Sequence, residues 1–163
     1  MKILLTGANG YIGLRLLPEL LELGHTVCAV VRNKNRLPSE DFAGSPGRLD
    51  VIEADLLSSD PEFPEDIDAA YYLIHSMGDG EGFAEREAVS ARNFLRGLER
   101  TRCRQVIYLG GIIPPTEKLS DHLRSRLAVH DILRSGRVPL TALRASIIVG
   151  SGSASFEIIR DLV

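Results

Sequence analysis

The sequence has 163 residues, of which 44% are hydrophobic and 25% are charged, with a formal net charge of -3 at pH 7. This length fits one domain, and the apolar content is sufficient for a core. Collagen-like, coiled-coil, disordered and disulfide-rich proteins are excluded by the same numbers, and mild acidity argues against a nucleic-acid-binding protein. No apolar run approaches the roughly 18–20 residues of a membrane span. We therefore expect no membrane span. Cys28 and Cys103 show neither disulfide nor zinc spacing, which favours a reducing compartment, so we expect a cytoplasmic protein.

Short apolar runs alternate with loops and helical segments along the chain. The runs are apolar on both faces, which is typical of strands in a buried parallel sheet. We predict six strands, at residues 3–5, 27–31, 51–52, 69–74, 105–109 and 140–143 with 147–149. Amphipathic spacing predicts helices over residues 11–23, 81–100 and 120–134, the first bent by Pro18. Residues 33–47 form a predicted loop with room for one helical turn, and residues 58–64 form another.

This order of strands and helices predicts the fold class. Strands that alternate with helices form βαβ units with right-handed crossovers. We therefore predict an α/β domain with a doubly wound, mostly parallel sheet of the Rossmann type between two helix layers. In this architecture ligands bind at the carboxyl ends of the strands.

The segment from Thr6 to Gly13, TGANGYIG, joins the first strand to the first helix. Gly7 would allow a tight turn, Gly10 would let the backbone approach a pyrophosphate, and Gly13 would let the helix lie close to the strand. The helix amino terminus offers free N–H groups to phosphates. A glycine-rich turn without a ligand is the alternative. The context predicts a dinucleotide site that includes Asn9, Tyr11 and Ile12.

The chain resembles the short-chain dehydrogenase/reductase superfamily, in its extended and atypical NAD(P)-binding branches. The resemblance is carried by the glycine turn, by Ala54-Asp55-Leu56, and by Leu143-Arg144 with Gly150. The segments 72–77, YLIHSM, and 122–126, HLRSR, resemble the bacterial NmrA-like or YbjT-like group. The resemblance implies that Asp55 accepts from the adenine amino group and that Leu56 lines the adenine slot. It also places Ile74, His75 and Ser76 over the pyrophosphate and the nicotinamide ribose. A turn-forming Asp55 and a plain loop-end His75 are the alternatives.

The residue after the second strand bears on which dinucleotide binds. Domains that prefer NAD carry Asp or Glu there to bind the ribose 2′-hydroxyl, whereas this chain has Arg32. A guanidinium suits a 2′-phosphate, so we expect NADP(H), with NAD(H) as the alternative. A surface arginine without a ligand is the other interpretation of Arg32.

The catalytic residues that the resemblance implies are not all present. The superfamily uses a Ser–Tyr–Lys set, but Gly110 and Gly111 follow the fifth strand where the serine is expected. His122 and Arg126 take the tyrosine and lysine spacing, and they are the candidate catalytic pair. His122 could instead be a phosphate contact, a packing residue or an exposed polar residue. No metal site is expected, since the histidines lack ligand spacing.

The resemblance implies an NAD(P)H-binding protein of oxidoreductase-like activity. A non-catalytic NADP(H) sensor or assembly protein is the main alternative, and a relative of the sugar-nucleotide epimerases is a third. The substrate or protein partner is not predicted. In extended relatives a substrate-binding region follows the sixth strand. We therefore expect residues 1–163 to be a dinucleotide-binding domain from a longer protein, with a complete single-domain protein as the alternative.

Overall fold

The computed structural model describes residues 1–58, 61–75, 82–114, 118–153, 156–157 and 160–161. The strands are β1 (Lys2–Thr6), β2 (Thr26–Val31), β3 (Arg48–Glu53), β4 (Ala69–Tyr72), β5 (Gln105–Gly111) and β6 (Leu140–Ala145). The α-helices are α1 (Gly13–Glu22), α2 (Phe83–Leu98) and α3 (Asp121–Arg134). Two short 3₁₀ helices, Lys34–Arg36 and Ser39–Phe42, lie in the predicted loop between β2 and β3.

All six strands form one parallel sheet in the order β3-β2-β1-β4-β5-β6. This is the doubly wound order of the Rossmann fold, whose strand order reverses between β1 and β4. The predicted fold class is therefore confirmed. Because every strand runs the same way, the segments that follow the strands meet at one edge of the sheet.

Two apolar clusters cover the two faces of the sheet. Leu17 and Leu21 of α1 pack with Leu5 and Val27 on one face. Phe94 of α2 and Leu133 of α3 pack with residues such as Tyr72, Val106 and Tyr108 on the other. Side chains alternate along each strand between these faces, which explains why the central strands are apolar throughout. The result is the predicted arrangement of three layers.

The sixth strand ends earlier than predicted. Residues 147–149 lie outside β6, and Ile147 and Val149 are 66% and 59% exposed. The strand pairs only with β5, whose last residue Gly111 is the register partner of Ala145. Among the described residues no strand lies beside the chain beyond Ala145 to accept and donate hydrogen bonds, so apolar character alone does not extend β6.

The helices largely follow the predicted periodicity. Ser120 caps α3 by accepting from the backbone N–H of Leu123 at 3.3 Å, as expected for a serine before an amphipathic run. Pro18 lies inside α1, and the bend expected there stays a prediction. Within the described ranges, no helix is both long and apolar enough to cross a membrane.

Candidate dinucleotide site

The turn after β1 is packed so closely that two of its glycines, Gly7 and Gly13, cannot be replaced without strain. Gly7 has φ +69°, and a Cβ on it would lie 2.8 Å from the Leu73 carbonyl oxygen at the end of β4. The Gly10 N–H donates to the Gly7 carbonyl at 2.9 Å, closing the turn. A Cβ on Gly13 would lie 2.7 Å from both the Cα and the carbonyl oxygen of Ala8. Close approach of backbone to backbone therefore explains the glycine at both ends of the motif.

The amino terminus of α1 offers donors to an anion. The N–H of Leu14 and of Leu16 donate to the Gly10 and Ile12 carbonyls, each at 2.9 Å. Among the described residues, none accepts a hydrogen bond from the N–H of Tyr11 or Ile12. Free N–H groups and the positive end of the helix dipole together form an anion site. The free N–H groups are compatible with a pyrophosphate, and its binding at this turn stays a prediction.

A cavity of about 290 Å³ lies at the carboxyl edge of β1 to β4. We call it the adenine-side cavity because it contains the residues predicted for that half of the cofactor. It brings together eight of the predicted cofactor-binding residues: Gly7, Asn9, Gly10, Arg32, Asp55, Leu56, Ile74 and His75. The roles of these residues stay predictions, but their proximity is a property of the fold. Ser76 lies outside the described residues.

Asp55 forms a turn and also lines this cavity. Its Oδ1 accepts from the Leu57 N–H at 3.0 Å, which is the turn-forming role weighed above. The carboxylate is exposed, so its second oxygen is open to a ligand. The turn-forming and adenine-binding roles of Asp55 are therefore compatible.

Two polar residues of α2 shape the same cavity and were not predicted. Ser90 lines it, and the Asn93 side chain donates to the Leu56 carbonyl at 2.7 Å in a buried contact. This hydrogen bond fixes the residue predicted to line the adenine slot. Both side chains are buried, although they are polar. Polar residues on the apolar face of an amphipathic helix were the signal that could have identified them.

A second opening of about 510 Å³ lies beside β5, β6 and the start of α3. We call it the large cleft. Its lining includes Tyr11, Ile12, His122 and Arg126, and it shares His75 with the adenine-side cavity. The two openings therefore meet at His75. The candidate catalytic pair lies on the side where the nicotinamide of an extended dinucleotide would be expected.

Arg15 fastens the glycine turn to the loop after β6. Its guanidinium carbon lies 3.6 Å from the centre of the Tyr11 ring. The same group donates to the Tyr11 carbonyl at 3.0 Å and to the Ser151 carbonyl at 2.6 Å. A Cβ on Gly150 would collide with the Tyr11 hydroxyl, so Gly150 makes room for this ring. The spacing of Tyr11 and Arg15, four residues apart, was a signal for their contact.

His75 is held in its neutral form at the junction of the two openings. Burial lowers its pKa to about 4, and the positive charge of Arg126 acts in the same direction. Its ring makes an edge contact with Tyr108, with centroids 6.2 Å apart. A neutral imidazole adds no charge to attract phosphate, so at neutral pH the turn and Arg32 must supply that attraction.

At the end of β5 the packing disfavours a side chain at Gly110 but not at Gly111. A Cβ on Gly110 would lie 2.8 Å from the Tyr108 ring, whereas one on Gly111 would meet only Leu123, at 3.5 Å. His122 is exposed, and its ring lies 4.9 Å from that of Phe83. The ring contact is compatible with His122 as a packing residue, and its exposure is compatible with an exposed polar residue. Its position in the large cleft is compatible with a catalytic role, which stays a prediction.

A buried carboxylate joins the two helices beneath the cleft. Glu87 of α2 is 3% exposed and accepts a hydrogen bond from Ser125 of α3, which is 2% exposed. Ser125 precedes Arg126, so this contact helps to fix the helix that carries the candidate catalytic pair. A buried acceptor left without a donor costs the full desolvation of that group, so this hydrogen bond matters for stability.

Replacing Ser125 by alanine should destabilise the protein by about 1–3 kcal/mol, because a buried acceptor loses a donor. Urea unfolding of wild type and variant measures the difference. Ser135→Ala at the exposed end of the same helix serves as the control and should change stability by less than about 0.5 kcal/mol. Equal stability of Ser125→Ala and wild type would contradict the role given to this contact.

The parallel sheet, the glycine turn and the two openings that meet at the sheet edge define a dinucleotide-binding domain with an oxidoreductase-like fold. A model of a family described as NAD(P)H-binding matches residues 7–149. The chain therefore belongs to this NAD(P)H-binding family.

Individual relatives agree with this class. The chain is 39% identical over 87 residues to the divinyl chlorophyllide a 8-vinyl-reductase of Oryza sativa subsp. indica, covering 48% of this chain and 22% of that protein. The PhqB reductase domain from Penicillium fellutanum has a TM-score of 0.73 at 16% identity, covering 98% of this chain and 55% of that chain. A putative NAD-dependent epimerase/dehydratase from Bacillus halodurans has a TM-score of 0.71 at 23% identity, covering 94% and 74%. The chain spans less than half the length of the curated relatives it matches.

Proposed function

We propose that this chain binds NADP(H) in preference to NAD(H) and serves as the cofactor-binding domain of a reductase. The observation that carries the preference is the position of Arg32, exposed at the end of β2 and lining the adenine-side cavity. A guanidinium there presents a fixed charge and several donors to a 2′-phosphate. A bound NADPH would supply the hydride for a reduction, and the residues of this chain would bind and orient the cofactor.

The nearest carboxylate on the adjoining strand is engaged elsewhere. Glu53 is the register partner of Val31 at the end of β2. Its Oε2 accepts from the Lys34 N–H at 2.8 Å, and Glu53 does not line the adenine-side cavity. A carboxylate bonded to the ribose 2′-hydroxyl is the feature that favours NAD. Because Glu53 does not line the cavity, its position supports the choice of NADP(H).

Titrations with NADPH and NADH, followed by the fluorescence of the bound nicotinamide, test this proposal. We expect Arg32→Ala to weaken NADPH about 10–100-fold, because a charge-assisted contact to the phosphate is lost, and to leave NADH nearly unchanged. Arg36→Ala is the matched control, since Arg36 lies in the same loop and does not line the cavity.

Three results would contradict this proposal. Absence of binding to either dinucleotide would remove its basis, and an equal loss for both in Arg32→Ala would refute the role of the 2′-phosphate. Equal weakening of NADPH by Arg36→Ala would assign the effect to general surface charge instead.

A non-catalytic sensor is the second candidate function, favoured by the glycines at the end of β5 and by His122 and Arg126 at the positions of tyrosine and lysine. Stopped-flow oxidation of bound NADPH, with aldehydes and quinones as acceptors, separates the two. Oxidation by an acceptor favours the reductase, while binding without oxidation favours the sensor.

We further propose that a longer protein provides a substrate-binding region after β6. The loop after β6 carries Ile147 and Val149, which are exposed apolar residues suited to further packing. The relatives named above extend well beyond the matched region. Added carboxyl-terminal sequence should therefore bury these side chains, which limited proteolysis of the 146–153 loop would detect as protection.

A further inference from the structure

One buried hydroxyl in the adenine-side cavity lacks a partner. Ser90 lies in α2, is only 6% exposed and lines this cavity. Within the described part of the chain, its side chain neither donates nor accepts a hydrogen bond. A serine inside a helix often donates to the carbonyl four residues earlier, and Ser90 does not, which leaves its hydroxyl open to the cavity. A buried polar group without a partner costs desolvation free energy, which a ligand can recover by accepting its hydrogen.

The next turn of α2 shows which part of the cavity this hydroxyl faces. Asn93, three residues after Ser90 and therefore on the same face of the helix, donates to the Leu56 carbonyl at 2.7 Å. Because α2 follows β4, its amino terminus lies at the carboxyl edge of the parallel sheet. Ser90 is therefore one turn nearer to that edge than the contact between Asn93 and Leu56. Its hydroxyl lies beside Leu56, which lines the same cavity and is itself buried.

The groups around Leu56 define the chemistry of a ligand. The exposed Asp55 carboxylate accepts from the Leu57 N–H through Oδ1 and lines the cavity with its second oxygen open. A carboxylate accepts hydrogen bonds and does not donate them, whereas the Ser90 hydroxyl is an unused donor. Leu56 adds an apolar wall for a flat ring. A ring with an amino group beside an unprotonated ring nitrogen satisfies all three groups, and adenine presents these two atoms as its 6-amino group and N1.

We propose that Ser90 recognises the base of the bound dinucleotide by donating its hydroxyl hydrogen to N1 of adenine, while Asp55 accepts from the 6-amino group. This inference rests on the proposed dinucleotide-binding function and deepens it by assigning a residue that selects the base. Guanine and hypoxanthine carry a carbonyl oxygen and an N1–H at the same two positions. The Ser90 hydroxyl can rotate to accept from that N–H, but the Asp55 carboxylate repels a carbonyl oxygen. The site therefore favours adenine.

The recognition role of Ser90 is separable from protein stability. Ser125 and Asn93 have hydrogen-bond partners in the folded protein, so their loss leaves a buried group unsatisfied. Replacing Ser90 by alanine instead removes a buried hydroxyl that no described residue satisfies. We expect Ser90→Ala to unfold at the same urea concentration as wild type or at a higher one. A serine required by the fold would give the opposite shift.

Binding of dinucleotides measures the contribution of this hydroxyl. Titrations of Ser90→Ala with NADPH and NADH, followed by nicotinamide fluorescence, should show both affinities reduced by the same factor, roughly 2–10-fold, because both ligands carry adenine. This pattern differs from that of Arg32→Ala, which should weaken chiefly NADPH. Ser135→Ala is the control, since Ser135 lies at the end of α3 and does not line the cavity. It should leave both affinities unchanged.

Nucleotides that lack a single ring nitrogen test the assigned atom. AMP, 1-deaza-AMP and 7-deaza-AMP are compared as competitors of NADPH binding in wild type and in Ser90→Ala. In wild type we expect 1-deaza-AMP to bind roughly 2–10-fold more weakly than AMP, because the acceptor for the Ser90 hydroxyl is missing. In Ser90→Ala the two nucleotides should bind alike. Any effect of removing N7 should be the same in both proteins.

Three outcomes would overturn the inference. The first is a Ser90→Ala variant that binds NADPH and NADH as tightly as wild type. The second is a lower urea midpoint of Ser90→Ala, which would make the serine a structural residue. The third is a penalty for 1-deaza-AMP that persists in Ser90→Ala, because another residue would then contact N1. Failure of wild type to bind either dinucleotide would instead refute the proposed function, so the two failures are distinguishable.

Discussion

Replacing Gly13 by alanine should destabilise the protein by roughly 3 kcal/mol or more and weaken NADPH binding at least about 10-fold. The new methyl group would lie 2.7 Å from the Cα and the carbonyl oxygen of Ala8 and would also collide with the Gly7 carbonyl. All of these are backbone atoms, which cannot rotate away as a side chain would. Relief must come from moving the turn or the start of α1, and both carry the predicted phosphate donors.

Urea unfolding and NADPH titration together measure this effect. Gly44→Ala is the matched control, because nothing lies within 4 Å of a Cβ at that position. It should leave both quantities nearly unchanged, within about 0.5 kcal/mol for stability. A Gly13→Ala variant that unfolds and binds NADPH like wild type would show that the turn can relax. The close-packing explanation of the motif would then be wrong.

The glycine motif shows why the sequence revealed much of this site. Gly7, Gly10 and Gly13 form a motif of residues that are close in sequence, between a strand and a helix. The structure of such a motif depends little on distant segments, so it can be predicted from the sequence. Arg32 and Asp55 follow strands whose parallel direction is itself predictable, so their approach to the turn follows from topology. The structure brings them to one cavity, as expected.

Features that depend on contacts between distant segments could not be derived in the same way. The end of β6 depends on where its neighbour β5 ends, at Gly111. The Asn93 contact with Leu56 joins residues 37 apart. The absence of a serine at Gly110 is explained by the ring of Tyr108, whose orientation the sequence does not state. Tertiary packing decides each of these features.

Lowering the pH from about 6.5 to 4 should destabilise the protein through His75, by about 3 kcal/mol in total. Burial and the Arg126 charge lower the pKa of His75 from 6.5 to about 4, and each pKa unit corresponds to about 1.4 kcal/mol. In this interval the unfolded chain binds a proton at His75 that the folded protein does not. Stability is therefore lost as the pH falls through this interval, and the contribution of His75 to the pH dependence fades to nothing about one pH unit above 6.5.

Urea unfolding of wild type and His75→Gln between pH 7.5 and 4.5 gives the free energy of unfolding of each protein. The difference between the two values at each pH isolates the contribution of His75, because the other titrating groups are common to both proteins. We expect the gap between the two proteins to shift in favour of the variant as the pH falls. His25→Gln controls for loss of a histidine elsewhere. In Arg126→Met the acid sensitivity should be smaller, because one cause of the lowered pKa is gone. A constant gap over the whole interval would mean that His75 is accessible to protons in the folded protein. At low pH His75, which lies between the adenine-side cavity and the large cleft, would then be hydrated and protonated in the folded protein.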